Sequence, residues 1–361
     1  MRISVRLYRI IAKCILAFVM IVLVGVLIFV GLQVSGKNKL YSRQGQTGPN
    51  LSQVNLPSES TEESSQTAAT EVPEPDNWEE GDIRYNGVHY RYNSDVLTFL
   101  FLGIDKMTEV KPVKNGIDGG QSDAIFLLVL DPHDMKASVI GVNRDTITDI
   151  DVYNEDGSFR GSAKRQICLQ HGYGDGAQLS CERSVQAVSN LFYSLPIHGY
   201  CAINMGAIPL LNDAVGGVEV TVLEDVINSK LKEGQVVTLK GKDAYNYLHN
   251  RDIRSELSAQ RRLERQKQYL NAYADTLRAA MKKDITIPVK IYNTVSKYMV
   301  TDVSLDEISY LATQVIDYHF EKDSIYTLQG ETDTDGEHEK FYPDETALYE
   351  LILEVFYEEV E

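Results

Sequence analysis

The chain has 361 residues, of which 43% are hydrophobic and 24% charged, with 52 acidic against 35 basic side chains and a formal charge of −17. That content suits two small globular domains or one large one and excludes a disordered chain. It also excludes a broadly basic nucleic-acid binder, because phosphate binding needs a net positive face. The charge is unevenly placed, since the first 43 residues contain no Asp or Glu.

From Cys14 to Leu32 the sequence is apolar without interruption. At about 1.5 Å per helical residue such a run nearly crosses a hydrocarbon core of about 30 Å and predicts one transmembrane helix. Arg2, Arg6, Arg9 and Lys13 precede it and Lys37, Lys39 and Arg43 follow, which favours a cytoplasmic N-terminus. The run is longer than the apolar region of a cleaved signal peptide, and no A-x-A site follows it. The expected location is the cell membrane, single-pass, with the folded part extracellular.

Between Gln44 and Asp82 the composition turns to Gln, Ser, Thr, Glu and Pro, too polar to bury a core. A coil of about 50 residues would reach roughly 40 Å on average, so this stretch predicts a tether. The expected organisation is a tail and anchor over 1–36, a flexible extracellular tether over 37–94, a main domain over 95–283, and a C-terminal extension over 284–361 packed on it. Outside the anchor lie Cys168, Cys181 and Cys201; Cys168 and Cys181 could pair as a disulfide or remain buried thiols.

The folded part opens with VLTFLFLGI, Val96 to Ile104, a buried strand ending at Asp105. Ala124 to Leu130 and Ala137 to Val142 read as two more strands, joined by a turn short enough for an antiparallel pair. If the first strand also runs opposite to the second, Asp105, Asp123 and Arg144 emerge at one sheet edge, a rigid place to build a site. Further along, the patterns predict a helix over Glu182 to Leu195, a strand at GYCAIN, a helix around Ala207 to Val215, and strands at VEVTV and Gln235 to Leu239. Helices are expected over Lys242 to His249, over Leu257 to Lys282 and near Leu305 to Phe320, a strand at PVKIY, and a last amphipathic helix. Interleaved strands and helices indicate a layered α/β domain with a mixed sheet.

Basic residues outside the anchor concentrate in RDIRSELSAQRRLERQKQ. On a helix, Arg262, Arg265 and Gln266 share a face, where guanidinium groups suit a phosphate or pyrophosphate; the alternative is a solvated face paired with Glu256 and Glu264. Asp105 and Asp123 are candidate Mg²⁺ ligands, because Mg²⁺ takes one or two carboxylates together with substrate phosphate oxygens and water; strand-end carboxylates also serve as turn formers. Arg144 and Asp145 read either as site residues or as a structural ion pair. No G-x-S-x-G is present, and His171 in HGYGDG is as compatible with a turn as with catalysis.

FLFLGID, QSDAIFLLVLD, GVNRDT, HGYGDG, LNDAVGGVEVTV, L.GKDAYNYLHNR and RRLERQ stand in the order and spacing of the LytR-CpsA-Psr family, and the chain resembles that family from about Leu97 to Thr276. The resemblance implies an α/β/α sandwich with a central mixed β-sheet and a lipid-binding groove. It implies Mg²⁺-dependent phosphotransfer, in which a glycopolymer of the teichoic acid or capsular polysaccharide type passes from a polyprenyl-pyrophosphate carrier to peptidoglycan. The alternative is a non-catalytic polyprenyl-phosphate-binding envelope protein of the same fold; the family's older label is transcriptional attenuator. By the same resemblance Asp105 and Asp123 would hold the metal, and Arg144 with Asp145 would be catalytic. Arg144, Arg251, Arg262, Arg265 and Gln266 would contact the pyrophosphate, with His249 a partial substitute for an arginine. Gln121 and His249 stand where the family usually has arginine, and Asn143 where it has proline.

Overall fold

The computed structural model describes residues 30–43, 48–51, 54, 77–113, 117, 119–252, 258–315, 318–319, 324–334 and 338–360. All but the last three residues of the expected anchor, and the tail before it, lie outside these. Among the described residues no helix is long and apolar enough to cross a membrane. Helix α1 covers 30–42; a hairpin of β1 (Ile83–Tyr85) and β2 (Val88–Tyr92) follows. The centre is built from β3 (Leu97–Ile104), β4 (Ser122–Asp131) and β5 (Lys136–Val142). Next come the hairpin β6 (Ile147–Tyr153) and β7 (Phe159–Gln166), helices α2 (Leu169–Gly172) and α3 (Gln178–Leu191), and β8 (Gly199–Asn204). A lobe follows, made of α4 (Ile208–Ala214), β9 (Val218–Thr221), β10 (Val236–Leu239), α5 (Lys242–His249) and α6 (Ser258–Lys283). The chain closes through α7 (Ile287–Val295), β11 (Met299–Thr301), α8 (Leu305–Val315), β12 (Ile325–Thr327), the hairpin β13 (Gly330–Asp333) and β14 (Lys340–Pro343), α9 (Glu345–Phe356) and β15 (Tyr357–Glu359).

The six-stranded sheet has the order β11-β8-β3-β4-β5-β12. β3, β4 and β5 form the expected antiparallel meander, while β8 pairs parallel to β3 and β12 parallel to β5, so the sheet is mixed. Side chains alternate across it. Leu100, Leu102, Ile104, Ile125 and Leu127 point to one face and join Val188 and Phe192 beside α3, and Ile352 and Phe356 of α9, in the main core. Phe99, Phe101, Ala124, Phe126 and Leu128 point to the other face, where α6, α7 and α8 stand over them around a cavity. Helices on both faces give the α/β/α layering.

Three expectations change. PVKIY is not a strand but lies in α7: Pro288 sits in the first helical turn, where its missing N–H costs nothing, and Ile291, Tyr292 and Val295 recur at helical spacing on the cavity. The span 37–94 is not a tether throughout. β1 pairs with β2 and β2 with β15, Leu51 is buried in the main core, and α1 packs through Leu40 into a cluster with Leu97, Leu130 and Tyr318. The third change concerns the cysteines. Cys168 and Cys181 are separate buried thiols, the first facing Arg144 and the second 4.0 Å from His171.

Leu127 is fully buried between the layers. Leu127→Ala is expected to lower unfolding stability by about 2–5 kcal/mol, read by chemical denaturation; a loss below about 1 kcal/mol would show that this sheet face is not packed as described.

Candidate functional site

At the end of β3 the regular alternation breaks. Gly103 pairs with Ala124 but Ile104 pairs with Ser122, so Asp123 falls in a β-bulge without a partner on β3. By alternation alone its side chain would join Ile125 in the core; the bulge instead turns it to the cavity, of which it is a lining residue. Asp105 follows β3 in an exposed position, its N–H donating to the Gln121 carbonyl at 3.1 Å.

Arg144 follows β5 and meets the start of β4. Its Nη1 donates to Asp123 Oδ1, its Nη2 to Gln121 Oε1 at 2.6 Å, and Cys168 Sγ lies 3.5 Å from Nη2. Its Nε stands 3.5 Å from Asp145. The shared edge expected for Asp105, Asp123 and Arg144 therefore exists. Gln121 is an acceptor that orients the Arg144 guanidinium. Asn143 accepts from the Asp145 N–H at 2.9 Å through Oδ1 and, through its carbonyl, from Thr146. That Asx turn holds the Arg144–Asp145 corner by hydrogen bonds where a proline ring would hold it by covalent constraint. Burial raises the Asp145 carboxyl above its ordinary value, against the pull of Arg144, Gln166 and Arg251. Burial likewise pushes the Cys168 thiol up to about 11 despite Arg144, so it stays neutral and unreactive.

The basic segment divides. Arg262, His249 and Gln266 line the same cavity as Asp123. Arg262 has its pKa lowered, by burial first and then by the charges of Arg251 and Arg144, with Asp123 opposing. A guanidinium crowded by cations in a partly dry site is poised to gain from an arriving anion. Arg251 sits close enough for its charge to reach Asp145 and Arg262 but is not on the cavity wall. Arg265, expected in the pyrophosphate site, is a correction. It is 1% exposed, it donates to the Tyr247 and Asn250 carbonyls at the end of α5, and its Nε pairs with Glu224 at 3.1 Å. About 60° around the helix axis and nearly one turn along it separate the two arginines: Arg262 faces the cavity, and Arg265 closes the C-terminus of α5 and so positions His249 and Arg251.

Tyr245 completes the charged end. It stacks on His249 with ring centroids 4.8 Å apart, one helical turn away on α5, and its hydroxyl pKa is raised by burial and by the charges of Asp105 and Asp123. The i, i+4 spacing of Tyr245 and His249 was the available signal for it. His171 proves structural: its Nδ1 donates to the Gly120 carbonyl at 2.9 Å, and burial lowers its pKa.

Away from these groups the cavity, about 500 Å³ in volume, is walled by Phe101, Phe126, Leu128, Tyr269, Leu277, Ile291 and Val315 among others. Phe101 is left 36% exposed in mid-sheet. A long apolar channel with an ionic end is the shape of a site for an amphiphile carrying an anionic head.

The fold and this cavity define a class of α/β/α proteins whose sheet carries an apolar cavity with charged groups at one end. The family model described as LytR_cpsA_psr matches residues 54–353, and the chain belongs to that family. The matched region runs across the boundaries expected at 95 and 283. A relative from Oceanobacillus iheyensis, named polyisoprenyl-teichoic acid–peptidoglycan teichoic acid transferase TagU, is 30% identical over 65% of this chain and 67% of its own. One of the same name from Enterococcus faecalis is 27% identical over 66% and 71%. Among solved structures, protein gbs0355 from Streptococcus agalactiae aligns over 73% of this chain and 87% of its own with TM-score 0.58 and 22% identity. TagV from B. subtilis aligns over 71% and 94% with TM-score 0.55 and 23% identity. These structural likenesses concern the fold.

The two arginines give opposite expectations. Arg265→Ala would strand a half-buried carboxylate and two carbonyls and should lower stability by about 3–5 kcal/mol. Arg262→Ala relieves cation crowding and should change stability by less than about 1 kcal/mol. Denaturant titration of both variants checks the assignment; the reverse ranking would contradict it.

Proposed function

We propose that this protein is a cell-wall phosphotransferase that moves a glycopolymer from a polyprenyl-pyrophosphate carrier to a hydroxyl of peptidoglycan. The observation that carries the reading is the continuity of the apolar cavity with the Asp123, Arg144 and Arg262 end. An isoprenoid chain fits the aromatic and aliphatic wall, and a pyrophosphate fits the arginines. The names of the two TagU relatives support the same substrate class.

Arg144 is held by Asp123, Gln121 and Asp145 before any substrate arrives. Such preorganised donors stabilise charge that spreads onto transferring phosphoryl oxygens without reorganising during the reaction. Arg262 adds charge from the cavity wall, Gln266 adds a polar amide there, and Arg251 tunes both Arg262 and Asp145. Asp145, half-buried with a raised pKa, lies beside Arg144 and is the carboxylate placed to manage a proton at that corner. Asp105 and Asp123 would hold Mg²⁺: the donor set is two hard carboxylate oxygen groups at one strand edge. Among the described residues no cluster of three or more His, Cys, Asp or Glu side chains could hold a metal, so a cation at this pair would take its remaining ligands from phosphate oxygens and water, as Mg²⁺ prefers. Bound there, Mg²⁺ would neutralise phosphate charge. The alternative, a carrier-binding protein without turnover, draws on Gln121 and His249 standing in place of two cations.

The test is turnover of a short polyprenyl pyrophosphate by the full chain in detergent. Arg144→Ala is expected to reduce the rate about 100- to 1,000-fold, and EDTA to abolish it with recovery on adding Mg²⁺. Tight binding without turnover would favour the carrier-binding reading. Equal rates after Arg144→Ala and in EDTA would contradict the site.

A further inference from the structure

The polar stretch that follows the expected anchor has the composition of a loose tether, but the chain is fastened to the domain before that stretch begins. The described part of helix α1 includes the last residues of the apolar run and lies antiparallel to α8. Gln33 Nε2 donates to the Ser309 carbonyl at 3.0 Å, and Thr313 Oγ1 donates to Gln33 Oε1 at 2.8 Å. Ser35 Oγ donates to Asp306 at 2.7 Å, and Lys39 pairs with the same carboxylate. Arg43 ends the series. It donates to the His198 carbonyl at 3.1 Å and to the Asp302 carboxylate at 2.9 Å, and pairs with Glu307 at 3.0 Å. Glu307 is fully buried and also accepts from the Ser304 N–H and hydroxyl, so rupture of this latch takes a cationic partner from a carboxylate held out of water. Leu40, also fully buried, is inserted between these polar contacts.

The helix that α1 grips is itself a cavity wall, since Ile308, Leu311 and Val315 line it. This wall lies at one end of the strands, against Leu97 and Leu130. Asp105, Asp123 and Arg144 lie at the other, separated by the eight residues of β3, roughly 25 Å at strand rise. The outer end of α1 keeps Val30, Leu32 and Val34 41–53% exposed, an apolar collar that continues the run before it.

We infer that α1 is a rigid bracket joining the membrane anchor to α8, so that the apolar end of the cavity is held against the bilayer and the charged end away from it. The inference rests on the anchor and on the lipid-carrier reading given above. The bilayer, rather than free solution, is then the source from which an isoprenoid chain enters past α8.

Two measurements on the full chain in phospholipid vesicles test this without needing turnover. With Cys14→Ser as background, Gln33→Cys with Thr313→Cys should be joined by a short bis-maleimide, whose span matches two side chains that meet through the end of a glutamine. Fluorophores on Met135→Cys, at the β4–β5 turn beside α8, and on Met107→Cys, beyond Asp105, report distance from a headgroup-level quencher; both methionines are about half exposed. Quenching should be several-fold stronger at 135 than at 107. A third arm reads function. Arg43→Ala should slow turnover of a long-chain polyprenyl pyrophosphate embedded in vesicles at least ten-fold, with a short water-soluble analogue processed as before.

No cross-link, or equal or reversed quenching, overturns the bracket. So does an Arg43→Ala chain that handles both substrates like its parent. If the parent turns over neither substrate, the proposed reaction fails while the cross-linking and quenching results still decide the bracket.

Discussion

The sheet has two apolar faces, and only one of them is filled by close packing. On the α3 and α9 side, Leu100, Leu102, Ile125 and Leu127 meet partner side chains and anchor the fold. Burial of that kind contributes roughly 1.5–3 kcal/mol per large aliphatic side chain, enough to hold the strands rigid while the opposite face stays open. There Phe99, Phe101, Phe126 and Leu128 front a cavity. A helix packed directly on them would consume the surface that an apolar ligand needs, so α6, α7 and α8 stand off as walls.

Electrostatics is arranged at the end of that cavity by backbone detail. The bulge at Asp123 aims a carboxylate into the cavity, and the Asx turn at Asn143 aims Arg144 back at it. Arg262 and Arg251 repel each other across the same end, so the site carries unfavourable energy that an anion relieves. Arg265 adds the last-ranked cationic push on Arg262, while its own hydrogen bonds go to the carbonyls of α5 and its ion pair to Glu224. Its contribution is to fix the corner on which His249 and Arg251 sit.

Much of this was legible in the sequence where local rules are strong. The short turn after β4 set one antiparallel pair, and the β3–β4 pairing, left as a condition across the longer connection 105–121, is antiparallel as well, so Asp105, Asp123 and Arg144 come to one edge. What was hidden depended on tertiary context. The bulge at Asp123 is invisible in a doubly buried strand, whose continuous apolar run shows no alternation. Arg262 and Arg265 are alike by composition and three residues apart, yet one faces the cavity and the other a helix end, a distinction that only the position of α5 decides. PVKIY has strand-like residues, but its spacing suits a helix facing an apolar cavity. The hairpin of β6 and β7 carries polar residues such as FRGSAKRQ and gave no hydrophobic pattern to follow. The docking of α1 depends on Arg43 finding the buried Glu307 264 residues later, a contact no local pattern announces.

The central claim is that an isoprenoid chain lies along Phe101 and Phe126 with its phosphates at the bulged strand end. A crystal structure of the protein with a short polyprenyl pyrophosphate addresses it most directly. The account predicts phosphate oxygens within hydrogen-bonding distance of Arg144 and Arg262 and the chain running toward α8. Phosphates bound elsewhere, or a chain lying outside the cavity while the head sits on an unrelated surface, would contradict it.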